Sequence, residues 1–167
     1  MVSKFSVSEK DFRKALGRFA TGIVVITTRD AENRPRAITV NAFTSVSLDP
    51  PLVLYCLGKS AFHFGIFAEA KAFAVNMLSA DQQAFSDRFA REAGDEFADL
   101  SIRNLVTGSP ILPECLAVLD CKTETQHDAG DHLIVVGRVC AIDQSGDSEP
   151  LIYFESGYRG LRSSLDD

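Results

Sequence analysis

Apolar positions recur along this chain in two rhythms. Phe12, Leu16 and Phe19 have the spacing of one helix face, with Ser8 placed as N-cap and Asp11 as the N3 carboxylate of a capping box. Gly22 ends that helix or opens a turn. Residues 23–28, Ile-Val-Val-Ile-Thr-Thr, are β-branched throughout and predict a strand. Residues 30–35 then serve as a hairpin connection, and 37–47 return as a second strand. A third strand, 52–57, follows the break at Asp49-Pro50-Pro51.

The helical rhythm resumes at 60–70, where Phe62, Ile66 and Phe67 recur and Gly65 weakens the pattern. Residues 73–78 predict another strand. Ser79-Ala80-Asp81-Gln82 reads as a capping box for a helix carrying Phe85 and Phe89 and ending near Gly94. In the turn-rich stretch 95–109 the acidic residues are expected to form a solvated face. Strands are predicted at 116–126, 133–145 and 151–153, with turns at Ala129-Gly130-Asp131 and Gly146-Asp147. Six or seven short strands with hairpin-like connections and two or three helices predict a mainly β, antiparallel fold. A sheet closed into a small barrel removes the edges that invite aggregation. Phe64, Phe67, Phe85 and Phe89 are expected in its core.

Composition narrows the function classes. With 167 residues, 46% of them hydrophobic, the chain can bury a core of its own, and a single domain is expected over 1–167. A net charge of -6 without basic runs argues against a nucleic-acid or anionic-membrane surface. The first residues lack an apolar signal core and no apolar run is long enough to span a bilayer, so a cytoplasmic location is expected. Cys56, Cys115, Cys121 and Cys140 have no Cys-x-x-Cys spacing and no clustered histidine partner. They are expected to be buried free thiols, with no metal site.

No hydrolytic or phosphate-loop motif is present. Three regions offer polar chemistry. Between Thr39 and Ser47 small hydroxyl and amide residues alternate with apolar ones, which suits either a strand with exposed Thr and Ser or a ledge for a flat polar ligand. Lys59-Ser60 after Gly58 suits an anion at a helix start, and equally a plain serine N-cap. His132, at the turn entering 133–137, is a surface histidine or a group that hydrogen-bonds a substrate amide. His127 adds no third ligand, so metal is not expected there.

Taken in order, Phe19-Ala20-Thr21-Gly22-Ile23-Val24-Val25, the run from Thr39 to Pro51, Phe73-Ala74-Val75-Asn76-Met77-Leu78, Gly130-Asp131-His132 and Gly157-Tyr158-Arg159 resemble the flavin reductase family, the short-chain NAD(P)H:flavin oxidoreductases. The resemblance extends from about Phe12 to Leu161. It implies an FMN-binding split β-barrel, a homodimer, and FMN or FAD held without covalent attachment. It further implies Thr39, Asn41, Ala42, Phe43 and Thr44 along the isoalloxazine and ribityl chain, and Ser60 and His63 at the phosphate. Asn76, Arg88 and Arg159 are implied as further cofactor contacts, and His132 beside the nicotinamide. His63 stands where a small hydroxyl residue is expected. The implied activity is hydride transfer from NADH or NADPH to flavin N5, supplying reduced flavin to a flavin-dependent monooxygenase. The alternatives are a flavoenzyme of this fold that keeps its flavin and reduces a corrinoid or metal chelate, or a flavin-binding protein without turnover.

Overall fold

A computed structural model of the chain describes residues 7–91, 97–144 and 148–161. Helix α1 (Glu9–Leu16) starts as the capping pattern predicts: Ser8 Oγ accepts the Asp11 N–H at 3.1 Å and donates to the Asp11 carboxylate at 2.6 Å. Acidic residues in its first turn and Arg13 and Lys14 in its last oppose the helix dipole. The helix closes at Gly17, ahead of the expected Gly22, and buries none of its residues. Thr21–Gly22 is instead the short strand β1.

Strands β2 (Val24–Arg29) and β3 (Pro35–Val40) form the expected hairpin. Asp30 fixes its tip: the carboxylate accepts the Glu32 and Arg34 N–H groups and the guanidiniums of Arg34 and Arg36, at 2.9 to 3.1 Å. Asn33 takes the left-handed conformation there, with φ of 62°, which asparagine tolerates. Burial pushes the Asp30 carboxyl up, and the hydrogen bonds from Arg34 and Arg36 outweigh it, holding it at about 2.

The single strand expected at 37–47 is two strands. β3 stops at Val40, and β4 (Phe43–Leu48) begins after Asn41 and Ala42. β5 (Pro51–Gly58) follows as expected, and then α2 (Phe64–Glu69), shorter than predicted because Ser60 and Ala61 stay in the preceding turn. β6 (Ala72–Met77) leads through the Ser79–Gln82 capping box and a 3-10 turn into α3 (Gln83–Phe89). That helix caps at Ala90, and the expected end near Gly94 lies outside the described residues. The long hairpin of β7 (Ala117–Ala129) and β8 (His132–Gln144) turns at Gly130, with φ of 63°. Short strands β9 (Ile152–Phe154) and β10 (Gly157–Arg159) pair with β1 in a small second sheet, order β1-β9-β10.

The main sheet runs β3-β2-β6-β7-β8-β5-β4, antiparallel at every step. Its two outermost strands, β3 and β4, are joined by only Asn41 and Ala42, so the sheet must curl until its edges meet. They meet without pairing, which leaves the barrel split.

Alternate residues of β2 and β6 serve two different cores. Val24, Ile26, Phe73 and Val75 point into the barrel with Tyr55, Leu57, Phe67 and Val135. Val25, Ala74 and Leu78 point outward against Phe89, Phe97, Ile111 and Leu112. This burial on both faces explains why five of the six residues of β2 are buried, with no alternation to read. It also refines the expectation for 95–109, of which 95 and 96 lie outside the described residues: Asp99 is exposed as expected, and several apolar residues between the polar ones are not solvated. Phe97 lies under Phe89, with ring centroids 5.2 Å apart, and the segment is a cover on the outer core. Phe67 and Phe89 are buried as expected, with Phe64 and Phe85 packed beside them.

Asn76 pins that cover. Its amide N–H groups donate to Val25 O at 3.0 Å and Thr27 Oγ1 at 3.1 Å, and its oxygen accepts the Leu112 N–H at 2.9 Å. Thr27 in turn donates to Pro110 O. All four cysteines are free, but only Cys115 and Cys121 are buried; Cys56 is half-buried. Cys140 is exposed, contrary to expectation, because it sits at a bulge where the β7–β8 register shifts between Asp120 and Cys121. Among the described residues no helix is long and apolar enough to cross a membrane.

Three outcomes follow for stability. Asn76→Ala strands the buried Leu112 N–H, and urea titration should register a loss of about 2–4 kcal/mol at an unchanged m-value. Gly137→Ala should cost about 1–3 kcal/mol by overpacking, because a methyl there would lie 2.3 Å from Phe73 Cζ inside the barrel; pairing it with Phe73→Leu should recover part of the loss. Since Asp30 titrates lower in the fold than at its ordinary 3.8, its contribution is complete above that value and is lost as the pH falls toward 2. Acid titrations of the wild type and Asp30→Asn should therefore converge across that interval.

Candidate functional site

One end of β5 gathers the three polar segments. The Cys56 N–H donates to Ala42 O at 3.0 Å, which ties the β3–β4 connection to β5. Two residues on, about 7 Å along an extended strand, Gly58 pairs with His132 at the start of β8. The His132 ring lies over Gly58: a methyl group on that glycine would stand 3.6 Å from Nε2. The turn beyond is clamped to the β7–β8 tip. Lys59 donates its backbone N–H to Asp131 O at 2.9 Å and its ammonium to Gly130 O at 2.7 Å, and it pairs with Asp128 at 2.5 Å. Asn41, Ala42, Phe43, Ser60 and His132 thus share one rim, with Thr44 exposed one step along β4.

His132 is oriented by its neighbour. Its Nδ1 lies 2.7 Å from the Asp131 carboxylate, which can only accept when ionised, so Nδ1 carries the proton and donates. In the neutral ring this leaves Nε2 as an acceptor over Gly58. The His132 hydrogen bond holds the Asp131 carboxyl below its ordinary range.

A flat ligand with a polar edge suits this rim. β4 is outermost in the sheet, so one side of its backbone has no strand partner, and Asn41, Thr44 and Ser45 are exposed along it. Gly58 removes a side chain where a ring would approach. A helix-start anion site at Lys59-Ser60 is not built as the sequence suggested: α2 begins only at Phe64, its cap position is His63, and the Lys59 ammonium is already held by Asp128 and Gly130.

The remaining predicted residues lie elsewhere. Thr39 donates its hydroxyl to Ser86 O at 2.8 Å, at the start of α3's last turns. Ser86 and Tyr158 hydroxyls are 2.9 Å apart and Tyr158 donates to Asp87 at 3.0 Å, so β3, α3 and β10 are tied together. Arg88 makes a two-pronged pair with Asp99 at 2.9 and 3.0 Å, and Arg159 donates to Tyr158 O at 2.8 Å. Asn76 is fully buried with its amide engaged in the outer core. His63 is buried at the wall of an open cavity of about 1310 Å³ between α2 and the β2–β3 hairpin. Sequence reasoning missed that cavity and the Ser86-Tyr158-Asp87 link. The motif Gly157-Tyr158-Arg159 signalled the latter, through its tyrosine. Among the described residues no group of three His, Cys, Asp or Glu side chains is placed to hold a metal ion.

Comparison with known proteins bears on this rim. Residues 16–162 match the family of flavin reductase like domains. The chain is 44% identical over 87% of its length to the FMN reductase (NADH) SmoA of Agrobacterium fabrum, covering 82% of that protein. It is 35% identical over 96% of its length to HsaB of Rhodococcus jostii, the reductase subunit of a flavin-dependent monooxygenase, covering 82% of it. The solved Streptomyces globisporus NADH:FAD oxidoreductase SgcE6, in complex with NAD and FAD fragments, superposes with a TM-score of 0.86 at 33% identity, covering 96% of this chain and 98% of that one. Against a probable flavin reductase of Rhizobium meliloti, 44% identical over 87% of this chain, the chain spans only 47% of the relative's length. Its split barrel and its sequence together make this chain a member of the flavin reductase like domain family.

Proposed function

We propose that this chain is an NAD(P)H-dependent flavin reductase that binds FMN or FAD without covalent attachment and delivers reduced flavin to a partner flavin-dependent monooxygenase. One observation carries the reading: barrel closure brings 41–44, Gly58 to Ser60 and His132 to one rim with an unpaired strand edge. The names of the relatives, an FMN reductase and a monooxygenase reductase subunit among them, support the same chemistry.

Bound flavin would supply the acceptor for hydride from the nicotinamide. The chain's own residues orient. Asn41, Thr44 and the free edge of β4 offer donors and acceptors to the polar rim of the flat ring, with Ala42 against its face; Phe43 instead packs on the barrel core opposite Tyr55. Ser60, in the turn ahead of α2, adds a hydroxyl at the far end of the rim. His132, with Nδ1 committed to Asp131, presents Nε2 as an acceptor for an amide N–H of the nicotinamide carboxamide. Hydride transfer between two held rings needs no acid or base, so His132 is a positioning residue. Thr39 acts behind the rim by tying β3 to α3, Asn76 by tying β6 to β2 and the outer cover, and Arg88 by tying α3 to Asp99, while Arg159 bonds the carbonyl of its neighbour Tyr158.

We also read the working form as a cytoplasmic homodimer. Phe12 and Leu16 of α1, 55% and 56% exposed, Phe19 just beyond it at 76% and Leu48 of β4 at 94% offer a second copy surface to bury.

Mixing the purified chain with FMN or FAD and adding NADH or NADPH anaerobically should bleach the flavin band with at least one pair; no bleaching with any pair defeats the proposal. His132→Ala should raise the KM for the nicotinamide about fivefold, the weight of one hydrogen bond, while flavin Kd stays as in the wild type. Unchanged steady-state constants would remove the role given to His132.

A further inference from the structure

We infer that Lys59 is a positioning residue: it fixes the β7–β8 tip against the end of β5 and so sets where His132 Nε2 stands above the rim, an extension that rests on the nicotinamide role given to His132 above.

The tip needs an anchor from outside its own hairpin. β6 pairs with β7 only as far as Lys122, so beyond that point β8 is the one strand neighbour of β7 among the described residues. The outer part of the hairpin is therefore an arm. Residues 124–131 are all exposed, so no buried side chain holds the arm by packing. The register shift between Thr123 and Thr125 also bends it away from the regular ladder. Holding such a turn in one conformation costs about 1–2 kcal/mol per residue in backbone entropy. Polar bonds have to offset that cost.

Gln126 ties the middle of the arm, its amide donating to Ala68 O at 2.9 Å. The tip falls to Lys59. Its backbone N–H and its ammonium reach two successive carbonyls, Asp131 O at 2.9 Å and Gly130 O at 2.7 Å, and the ammonium also meets the Asp128 carboxylate at 2.5 Å. Asp128 belongs to β7, while Gly130 and Asp131 form the turn into β8, so one lysine grips the turn from both sides. Asp131 is held by its carbonyl while its carboxylate orients the His132 ring. Of the two ammonium contacts, the Asp128 pair adds little by itself, because that carboxylate is 75% exposed. The charge-assisted bond to Gly130 O carries most of the effect. The ammonium is thus committed to the tip, where the sequence suggested an anion.

The experiment compares Lys59→Met, Lys59→Arg and Asp128→Asn with the wild type in two measurements. The first needs no cofactor. Nitrogen-15 relaxation in the free chain should show the order parameters of the Gly130, Asp131 and His132 amides falling from about 0.85 to below about 0.6 in Lys59→Met, with β6 unchanged. Lys59→Arg should restore them, since a guanidinium can reach both the carbonyl and the carboxylate, and Asp128→Asn should stay near the wild type. The second is steady-state flavin reduction. Lys59→Met should raise the nicotinamide KM about threefold, short of the effect of His132→Ala because the backbone bond to Asp131 survives. Its kcat and flavin Kd should match the wild type, Lys59→Arg should recover the KM, and Lys59→Met should add nothing in the His132→Ala background.

Unchanged order parameters in Lys59→Met overturn the assignment whether or not the chain reduces flavin. So does a rise in Kd for FMN without one for riboflavin, which would make Lys59 a phosphate ligand. A full threefold rise on top of His132→Ala also overturns it, and all three results leave the reductase reading intact. A loosened tip in a chain that reduces no flavin overturns the reductase reading and the positioning role together, and leaves only the clamp.

Discussion

β3 and β4 follow one another in the chain yet stand at opposite ends of the sheet order, with only Asn41 and Ala42 between them. Two residues cannot bridge an open seven-stranded sheet, whose strands lie about 4.8 Å apart. The sheet must therefore roll up, and everything else at the candidate site is a consequence. Rolling up carries β5 beside the connection, fixed by the Cys56 N–H on Ala42 O. β8 pairs with β5 and so delivers His132 over Gly58. Because β3 and β4 meet without pairing, a strand edge with unspent backbone groups is left at the place where the polar side chains collect.

The rest of the architecture keeps that rim rigid. The barrel interior closes tightly enough that Phe73 fills the space over Gly137, and the outer faces of β2 and β6 are roofed by the segment containing Phe97, Ile111 and Leu112. The roof is attached by polar pegs, Asn76 to Leu112 and Thr27 to Pro110, each buried and each satisfied. Thr39 extends the same logic to α3, whose Ser86 and Asp87 hold Tyr158. A site built on strands whose backs are pinned in this way can hold a ring in one pose without its own side chains clamping it.

Much of the fold was legible in the sequence. β-branched runs located the strands of the hairpins, Ser8 and Ser79 located two helix starts, and Gly130 located the long hairpin's turn. What escaped has a common cause: the information lies between distant segments. The break at Asn41-Ala42 is invisible because both halves have strand pattern, and only closure separates them. The stretch 97–109 looks solvated because its few apolar residues are scattered, and their burial depends on the outer faces of β2 and β6. The candidate site divides in the same way. Most of the rim set stands in the segments that carry the resemblance, Asn41, Ala42, Phe43 and His132, whereas Ser60 showed only as a polar residue after a strand. Asn76 stands in a motif too, and there the local pattern does not distinguish a ligand contact from a core peg. The cavity beside Phe62 left no local signal, because Arg34 and Arg36 read as the ordinary charges of a hairpin.

Closure of the barrel brings three separate segments to one rim. Amide hydrogen exchange followed by mass spectrometry, with and without saturating flavin, tests it directly. Flavin should slow exchange together in 41–45, 58–60 and 130–132, with the interior of β6 unaffected. Slowing confined to a single one of these segments, or found only on surfaces away from the end of β5, would contradict it.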